Sequence, residues 1–334
     1  MRKQSLGSAV VIAVLTAGLS VATQPMNAQR GGQAPDAAGR GGQAPDGGGR
    51  GGRGGQGGRG GAAEAPAIRK QPEAAGCPGD PAEFFPCATE KAKIFKPTRM
   101  PDGKPDLRGF WATGRQAFVI EEHVAETGLQ GETSIIVDPP NGKVPFNAAG
   151  AARQAQLSGQ HGTLKSSPEF MDPSARCFSK GIPRMHTNNP FPFEFFQTSN
   201  MFAILHEQNH VYEVVPLDGS PHASKNIKLW MGDERGRWEG DTLVVETTNL
   251  NGKSWLDERG TFFSDNAKVT ERYTLIDPDV IFYRATIEDS TVFTRPWTLG
   301  FPMRRNKEQG LERMEFACHE GNKSNELQLA GAKK

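Results

Sequence analysis

The first residues that could carry chemistry are His206, Glu207 and His210, which form the pattern His-Glu-x-x-His. On a helix, that spacing places two imidazoles on one face, where they bind zinc while the glutamate acts as a base. The flanking runs, Met-Phe-Ala-Ile-Leu and Val-Tyr-Glu-Val-Val, are instead typical of strands. We therefore predict a hairpin turn without metalloprotease geometry. His206 and His210 would end adjacent strands, and they remain candidate ligands for a metal site that needs a third residue.

A second set of candidates begins at Trp230, in the run Trp-Met-Gly-Asp-Glu-Arg-Gly-Arg-Trp-Glu-Gly-Asp-Thr-Leu-Val-Val. Trp230, Trp238 and Trp255 could wall an apolar cavity, with Asp233 and Asp241 at its mouth. In the alternative, which we favour, the tryptophans fill one end of a barrel. The aspartates would then hold turns through hydrogen bonds from side chain to backbone.

A third candidate is Glu271, which lies in an alternating segment. Its face of that segment is shared with Ala267, Val269, Tyr273 and Leu275. A carboxylate that faces inward must be paired or protonated. We predict an ion pair with Arg284 on the neighbouring strand, which would make both residues ligand-binding candidates. If the chain is an enzyme, Glu271 or His210 would be the acid or base. No cofactor is expected, and zinc is the alternative.

The amino terminus predicts export. Arg2 and Lys3 precede an apolar run over residues 9–19, and small residues lead to a cleavage point after Ala22. This pattern is typical of a secretory signal peptide over residues 1–22, and Ala28 is the alternative end. An uncleaved anchor is the other interpretation. We expect a periplasmic or secreted protein.

The four cysteines fit that compartment, because an even number in an oxidising environment favours disulfides. Three connectivities are possible. The least demanding one joins Cys77 to Cys87 as a local clip and Cys177 to Cys318 as a long staple. The sequence contains no C-x-x-C spacing, so a cysteine metal site or a haem attachment site is disfavoured.

Residues 23–75 are predicted to be a disordered linker rich in Gly, Arg, Pro and Ala. The run Arg-Gly-Gly-Gln-Ala-Pro-Asp starts at Arg30 and again at Arg40, and such a segment has little to bury. Residues 1–62 hold seven basic and two acidic residues, whereas the remainder holds 32 and 36. The folded part is therefore not a nucleic-acid binder. The cationic tail could touch anionic cell-surface polymers, and no membrane span follows the leader.

The rest of the chain predicts an all-β fold. We expect an irregular arm over residues 76–130, a β-rich domain over 131–325 and a flexible terminus over 326–334. A helix over residues 148–157 would be capped by Asn147. Besides a short strand at 133–137, about nine strands are predicted at residues 193–199, 201–206, 210–216, 227–231, 241–248, 267–276, 280–288, 297–304 and 312–318. Such a series indicates an antiparallel up-and-down meander that closes as a calycin-like barrel, with a two-sheet sandwich as the alternative.

Three motifs together resemble a known family. They are Asp102-Gly-Lys-Pro-Asp-Leu-Arg-Gly-Phe-Trp111, the run from Trp230, and Ala317-Cys-His-Glu-Gly-Asn322. They are similar to a large family of exported, uncharacterised β-rich proteins of environmental bacteria, over about residues 96–322. The resemblance implies export and a shared β-rich fold, and it assigns no catalytic residue. The family pattern usually has Arg at the position of Ser220 and often has Arg at the position of Glu213. If those arginines bind an anionic ligand in relatives, this chain has changed or lost that contact.

Three functions remain open from the sequence. The first is an exported β-barrel that binds a small, mainly apolar molecule. The second is an enzyme that acts on such a molecule without an organic cofactor, either through Glu271 or His210 or through a metal at His206 and His210. The third is a structural protein of the cell envelope, tethered by the cationic tail.

Overall fold

A computed structural model describes residues 68–113, 118–124, 131–160, 165–187, 191–323, 326–327 and 329. The predicted signal peptide, the linker up to residue 67 and most of the predicted flexible carboxyl terminus lie outside these residues. The three helices are α1 Pro81–Ile94, α2 Ala148–Ser158 and α3 Arg184–Thr187. The strands are β1 Ile68–Arg69, β2 Gly109–Ala112, β3 Gly131–Glu132, β4 Ile136–Asp138, β5 Phe193–Gln197, β6 Met201–His206, β7 Tyr212–Pro216, β8 Asp233–Glu239, β9 Thr242–Thr248, β10 Lys268–Asp277, β11 Val280–Glu288 and β12 Trp297–Arg305.

Most of the strands form one nearly closed antiparallel barrel, which confirms the predicted all-β class. The strand order is β7-β6-β5-β2-β12-β11-β10-β9-β8, and β4 pairs with β12 off this path. Alternate residues face inward, so Glu271 stands opposite Ala285, and Tyr273 opposite Tyr283. The interior is filled with aromatic and branched side chains, including Phe193, Phe195, Phe202, Leu243 and Val245. Burial of this apolar surface drives barrel closure.

The barrel closes at a seam between its two end strands, β7 and β8. These strands lie side by side. Each is at one end of the order of hydrogen-bonded strands, so the two are not paired with each other. Val215 and Leu217 press against Gly236, where a Cβ atom would come within 2.4 Å of Leu217 Cδ2. Side-chain packing against a glycine therefore joins the seam, in place of a backbone ladder.

The predicted irregular arm contains a 14-residue helix, α1, which the sequence analysis missed. Asp80 caps it by accepting a hydrogen bond from the Ala82 amide, and Pro81 occupies its first turn. Phe84 is fully buried and packs edge-on against Phe282 on the outer face of β11. The density of Pro and Gly in this region indicated an irregular arm, but a proline in the first turn favours the start of a helix.

The barrel uses a different set of strands from the one predicted. Residues 227–231 form only an isolated bridge, between Leu229 and Leu250. Residues 312–318 are not a strand and lie against the turn after β6, where the Met314 amide donates to Glu207 and the Phe316 amide to His210. Two strands, β2 and β8, were missed, because glycines and charged residues conceal their alternation. The helix predicted after Asn147 is confirmed, since Asn147 accepts from the Gly150 amide.

Both disulfides have the favoured connectivity. Cys77 bonds Cys87 with their Cα atoms 5.8 Å apart, and Cys177 bonds Cys318 with their Cα atoms 5.6 Å apart. These bonds indicate a non-cytoplasmic protein. Residues 68–75 belong to the folded part and not to the predicted linker, because β1 pairs with β3 and Ala74 is buried.

Candidate functional site

A large cleft opens beside α2, with a volume of about 830 Å³. We call it the tryptophan cleft. Its lining is formed by Arg153, Leu157, Glu169, Pro173, Arg176, Phe178, Trp230, Asn251, Gly252, Lys253, Trp255, Phe262, Phe263, Ser264 and Asp265. Its volume is in the range of small-molecule sites, about 300–1,000 Å³.

Flat aromatic surfaces form one side of the tryptophan cleft. The rings of Phe178 and Trp230 stack with centroids 4.7 Å apart and planes only 11° from parallel. Trp255 and Phe263 are nearly fully buried in the lining. These rings offer a rigid apolar surface to a planar ligand.

Charged groups rim the same cleft. Arg153, Arg176 and Lys253 supply positive charge, and Glu169 and Asp265 supply negative charge. The Arg176 guanidinium lies over the Phe178 ring at 5.2 Å, and its buried Nε atom has no hydrogen-bond partner among the described residues. A ligand with an acidic group would be attracted to the positive charge of this guanidinium.

A segment over residues 177–187, buried from Lys180 onward, runs from the tryptophan cleft into the barrel. Gly181 has φ +71°, and a Cβ atom there would come within 2.5 Å of Ser254 Oγ. Arg184 is buried and forms two hydrogen bonds to Asp172, of 2.8 and 2.6 Å. This pair fixes α3, which carries His186 into the interior.

Lys180 in this segment makes stability depend on pH. Burial, and then the nearby charge of Arg184, lower its pKa to about 7, against the opposing attraction of Asp172 and Glu258. Between pH 7 and 10.5 the unfolded chain keeps a proton that the native state has released, so stability rises with pH. The slope approaches about 1.4 kcal/mol per pH unit. We expect Lys180→Met to lose this rise in urea-unfolding measurements at pH 7.5 and 9.5, while the exposed-site control Lys253→Met keeps it. A rise of the same size in Lys180→Met would contradict the assignment.

Seven polar side chains meet inside the barrel, and we call them the interior cluster. They are His186 of α3, His206 of β6, Glu213 of β7, Glu234 of β8, Glu271 and Tyr273 of β10, and Tyr283 of β11. Each is buried. The cluster therefore draws on six elements, including both strands of the seam.

Short contacts connect the members of the interior cluster. His206 Nε2 lies 2.5 Å from Glu213 Oε1, and His186 Nε2 lies 3.6 Å from Glu213 Oε2 and 3.3 Å from Glu271 Oε1. Tyr283 and Tyr273 donate to the same Glu271 oxygen over 2.5 and 3.1 Å. Two imidazoles thus share one carboxylate, and two phenols hold another.

Burial and mutual repulsion set the charges of the three carboxylates. Burial would raise the pKa of Glu213, but His186 and His206 lower it to about 2. Burial, opposed by His186 and reinforced by the charge of Glu213, raises the pKa of Glu271 to about 7. Burial together with both neighbouring carboxylates raises the pKa of Glu234 well above its ordinary value. Only Glu213 is therefore fully ionised at neutral pH.

The predicted ion pair between Glu271 and Arg284 is not formed. Glu271 lies inside the barrel, as the alternation predicted. Arg284 is the next residue after the inward-facing Tyr283, so it lies on the other face of β11, above the Phe282 ring and bonded to Thr274. Tyrosines, and not an arginine, donate hydrogen bonds to Glu271, both to its Oε1 atom.

The remaining predicted residues are dispersed. His206 is buried, but His210 is exposed on the turn, so the two do not form a pair. Trp230 and Trp255 both line the tryptophan cleft, whereas Trp238 lies outside it, on β8. Asp241 makes two hydrogen bonds to Arg99, of 2.9 and 3.0 Å, and it is not at the cleft mouth.

Besides Tyr273, which the alternation placed on the inward face, four members of the interior cluster were missed: His186, Glu213, Glu234 and Tyr283. Glu213 alternates in step with Val215 and so could have been placed on an inward face. Glu234 lies on the missed strand β8. His186 follows an irregular segment without periodicity, and only the tertiary structure brings it to the others.

No family model, no curated protein and no solved structure matches this chain. The helices of the described residues are all too short or too polar to span a bilayer.

Proposed function

We propose that this chain is an exported protein that binds a small, mainly apolar molecule in the tryptophan cleft. The observation that carries the proposal is the stacked pair of Phe178 and Trp230 beside Trp255, in a cleft of about 830 Å³. The leader pattern and the two disulfides support export.

The chemistry of the lining favours a planar ligand with one acidic group. A flat apolar body fits against the aromatic rings, and the acid would meet the charged guanidinium of Arg176 in the lining. Arginine suits this role because its rigid donors match a carboxylate. Lys253 adds positive charge at the exposed rim.

The test is a fluorescence titration of the full chain with 1-anilinonaphthalene-8-sulfonate, an aromatic anion with a planar naphthalene ring. We expect saturable one-to-one binding that Trp230→Ala weakens by at least about 30-fold, the size of a tryptophan hot spot of about 2 kcal/mol. Trp238→Ala is the matched control, because it removes an indole outside the cleft, and it should leave the affinity unchanged.

Arg176→Gln tests how much the positive charge contributes to binding, separately from the apolar surface of the cleft. It should weaken the anionic probe about 10-fold while leaving the binding of neutral naphthalene unchanged. Equal affinities in wild type, Trp230→Ala and Trp238→Ala would place the probe elsewhere and refute the proposal.

A further inference from the structure

Two buried carboxylate oxygens of the interior cluster have no hydrogen-bond partner among the described residues. They are Oε2 of Glu271 and Oε1 of Glu234, on strands β10 and β8. Buried polar atoms are nearly always satisfied, so an orphaned pair in one cluster needs an explanation. A bound cation supplies one.

The donor atoms around these oxygens are those of a metal site. His186, His206 and Glu213 each offer one ligand atom within 4.8 Å of the others, and Glu213, Glu234 and Glu271 do the same. Glu213 belongs to both sets. Metal–ligand bonds of about 2.1 Å at the angles of about 90–120° of a five-coordinate ion separate ligand atoms by roughly 3.0–3.6 Å. The distance of 3.6 Å from His186 Nε2 to Glu213 Oε2 already matches that spacing.

The tyrosines prepare Glu271 for such a role. Both donate to Oε1, which leaves Oε2 open. Outer groups that orient a ligand in this way are typical of metal centres.

We infer that the interior cluster is a binding site for one divalent transition-metal ion, held by Nε2 of His186, Nε2 of His206 and the carboxylates of Glu213, Glu234 and Glu271. The ion would replace the direct hydrogen bond between His206 and Glu213, which at 2.5 Å is too short for both atoms to remain ligands without moving apart. Because the site is closed, its role is structural: the ion joins β7 to β8 across the seam.

The ligand set indicates which ions bind. Imidazole nitrogen selects zinc and its first-row neighbours, whereas magnesium and calcium prefer sites made of oxygen alone. We therefore expect Zn²⁺ to bind and Ca²⁺ at the same concentration not to compete.

The experiment uses the full chain with both disulfides intact, stripped with a chelator and titrated with Zn²⁺ by calorimetry. We expect one ion per chain, a higher unfolding temperature, and slower hydrogen exchange of the β7 and β8 amides. Zinc that fails to bind, or that leaves exchange at the seam unchanged, would overturn the inference.

Variants locate the ion. His206→Gln and Glu271→Gln should each weaken Zn²⁺ by more than about 100-fold, and Tyr283→Phe, which keeps all five ligands, by about 10–100-fold. The matched controls are His210→Gln on the exposed turn and His222→Gln, whose imidazole faces Asp233 and Glu246 near the surface.

Both controls should bind zinc as wild type does, and loss of binding in His222→Gln would assign the ion to that surface site instead. Circular dichroism shows which variants are folded. If the two ligand variants fail to fold, Tyr283→Phe and the exchange map still decide the question, because both report on the native barrel.

Discussion

A variant with Cys177 and Cys318 both replaced by alanine is expected to lose about 5 kcal/mol of unfolding free energy. The staple closes a loop with a sequence separation of 141 residues, and the entropy that it removes from the unfolded chain grows with loop length. The staple also holds the carboxyl-terminal segment, residues 311–323, against the turn after β6. Urea unfolding followed by tryptophan fluorescence measures the loss.

The second disulfide provides the matched comparison. Cys77 and Cys87 are ten residues apart, so their double alanine variant should lose only about 3 kcal/mol. Equal losses, or a larger loss for the short clip, would show that chain entropy does not set the stability of this fold.

Asp172→Asn is the second change for which we expect a large effect. Arg184 is 1% exposed, and its main partner is Asp172, at 2.8 and 2.6 Å. Asparagine keeps an oxygen for the Ser174 amide, which Asp172 caps at 2.9 Å, but it removes the charge that offsets the buried guanidinium. Loss of one partner of a buried pair costs about 3–5 kcal/mol.

A double-mutant cycle separates the ion pair from simple packing. Arg184→Met alone should cost less, because Asp172 keeps the hydrogen bond from the Ser174 amide and its side chain is 16% exposed. The double variant should be more stable than Asp172→Asn, since it buries no unpaired charge. If the two single losses simply add in the double variant, the pair is not coupled.

Alternation predicted the barrel wall well where strands have strong periodicity. In β10, the inward position of Glu271 among Val269, Tyr273 and Leu275 follows from a period of two residues. The bounds of β6 and β11 agree with the prediction to the residue. The favoured disulfide pairing was also correct: it joins two cysteines only ten residues apart and leaves the other two to pair.

The candidate sites were harder to predict, because their residues come together only in three dimensions. His186 reaches the interior on a helix of four residues that has no periodic signal, held there by Arg184 and Asp172. The partner of Glu271 was wrongly predicted to be Arg284, because β10 and β11 are adjacent strands. The register of their pairing decides whether two side chains lie on the same face of the sheet. The tryptophan cleft could not be predicted, because loops form much of its lining and no sequence pattern specifies their conformation.

The position of β2 in the barrel has a consequence for the order in which the protein is made. This strand is the first of the barrel to be synthesised, yet its partners are β5 and β12. Ala112 pairs with Arg304, nearly two hundred residues later. One edge of β2 therefore stays unpaired until almost the whole chain has emerged. Because its earliest strand pairs with its latest, this barrel cannot fold progressively from its amino terminus, and it completes folding only after synthesis is nearly finished.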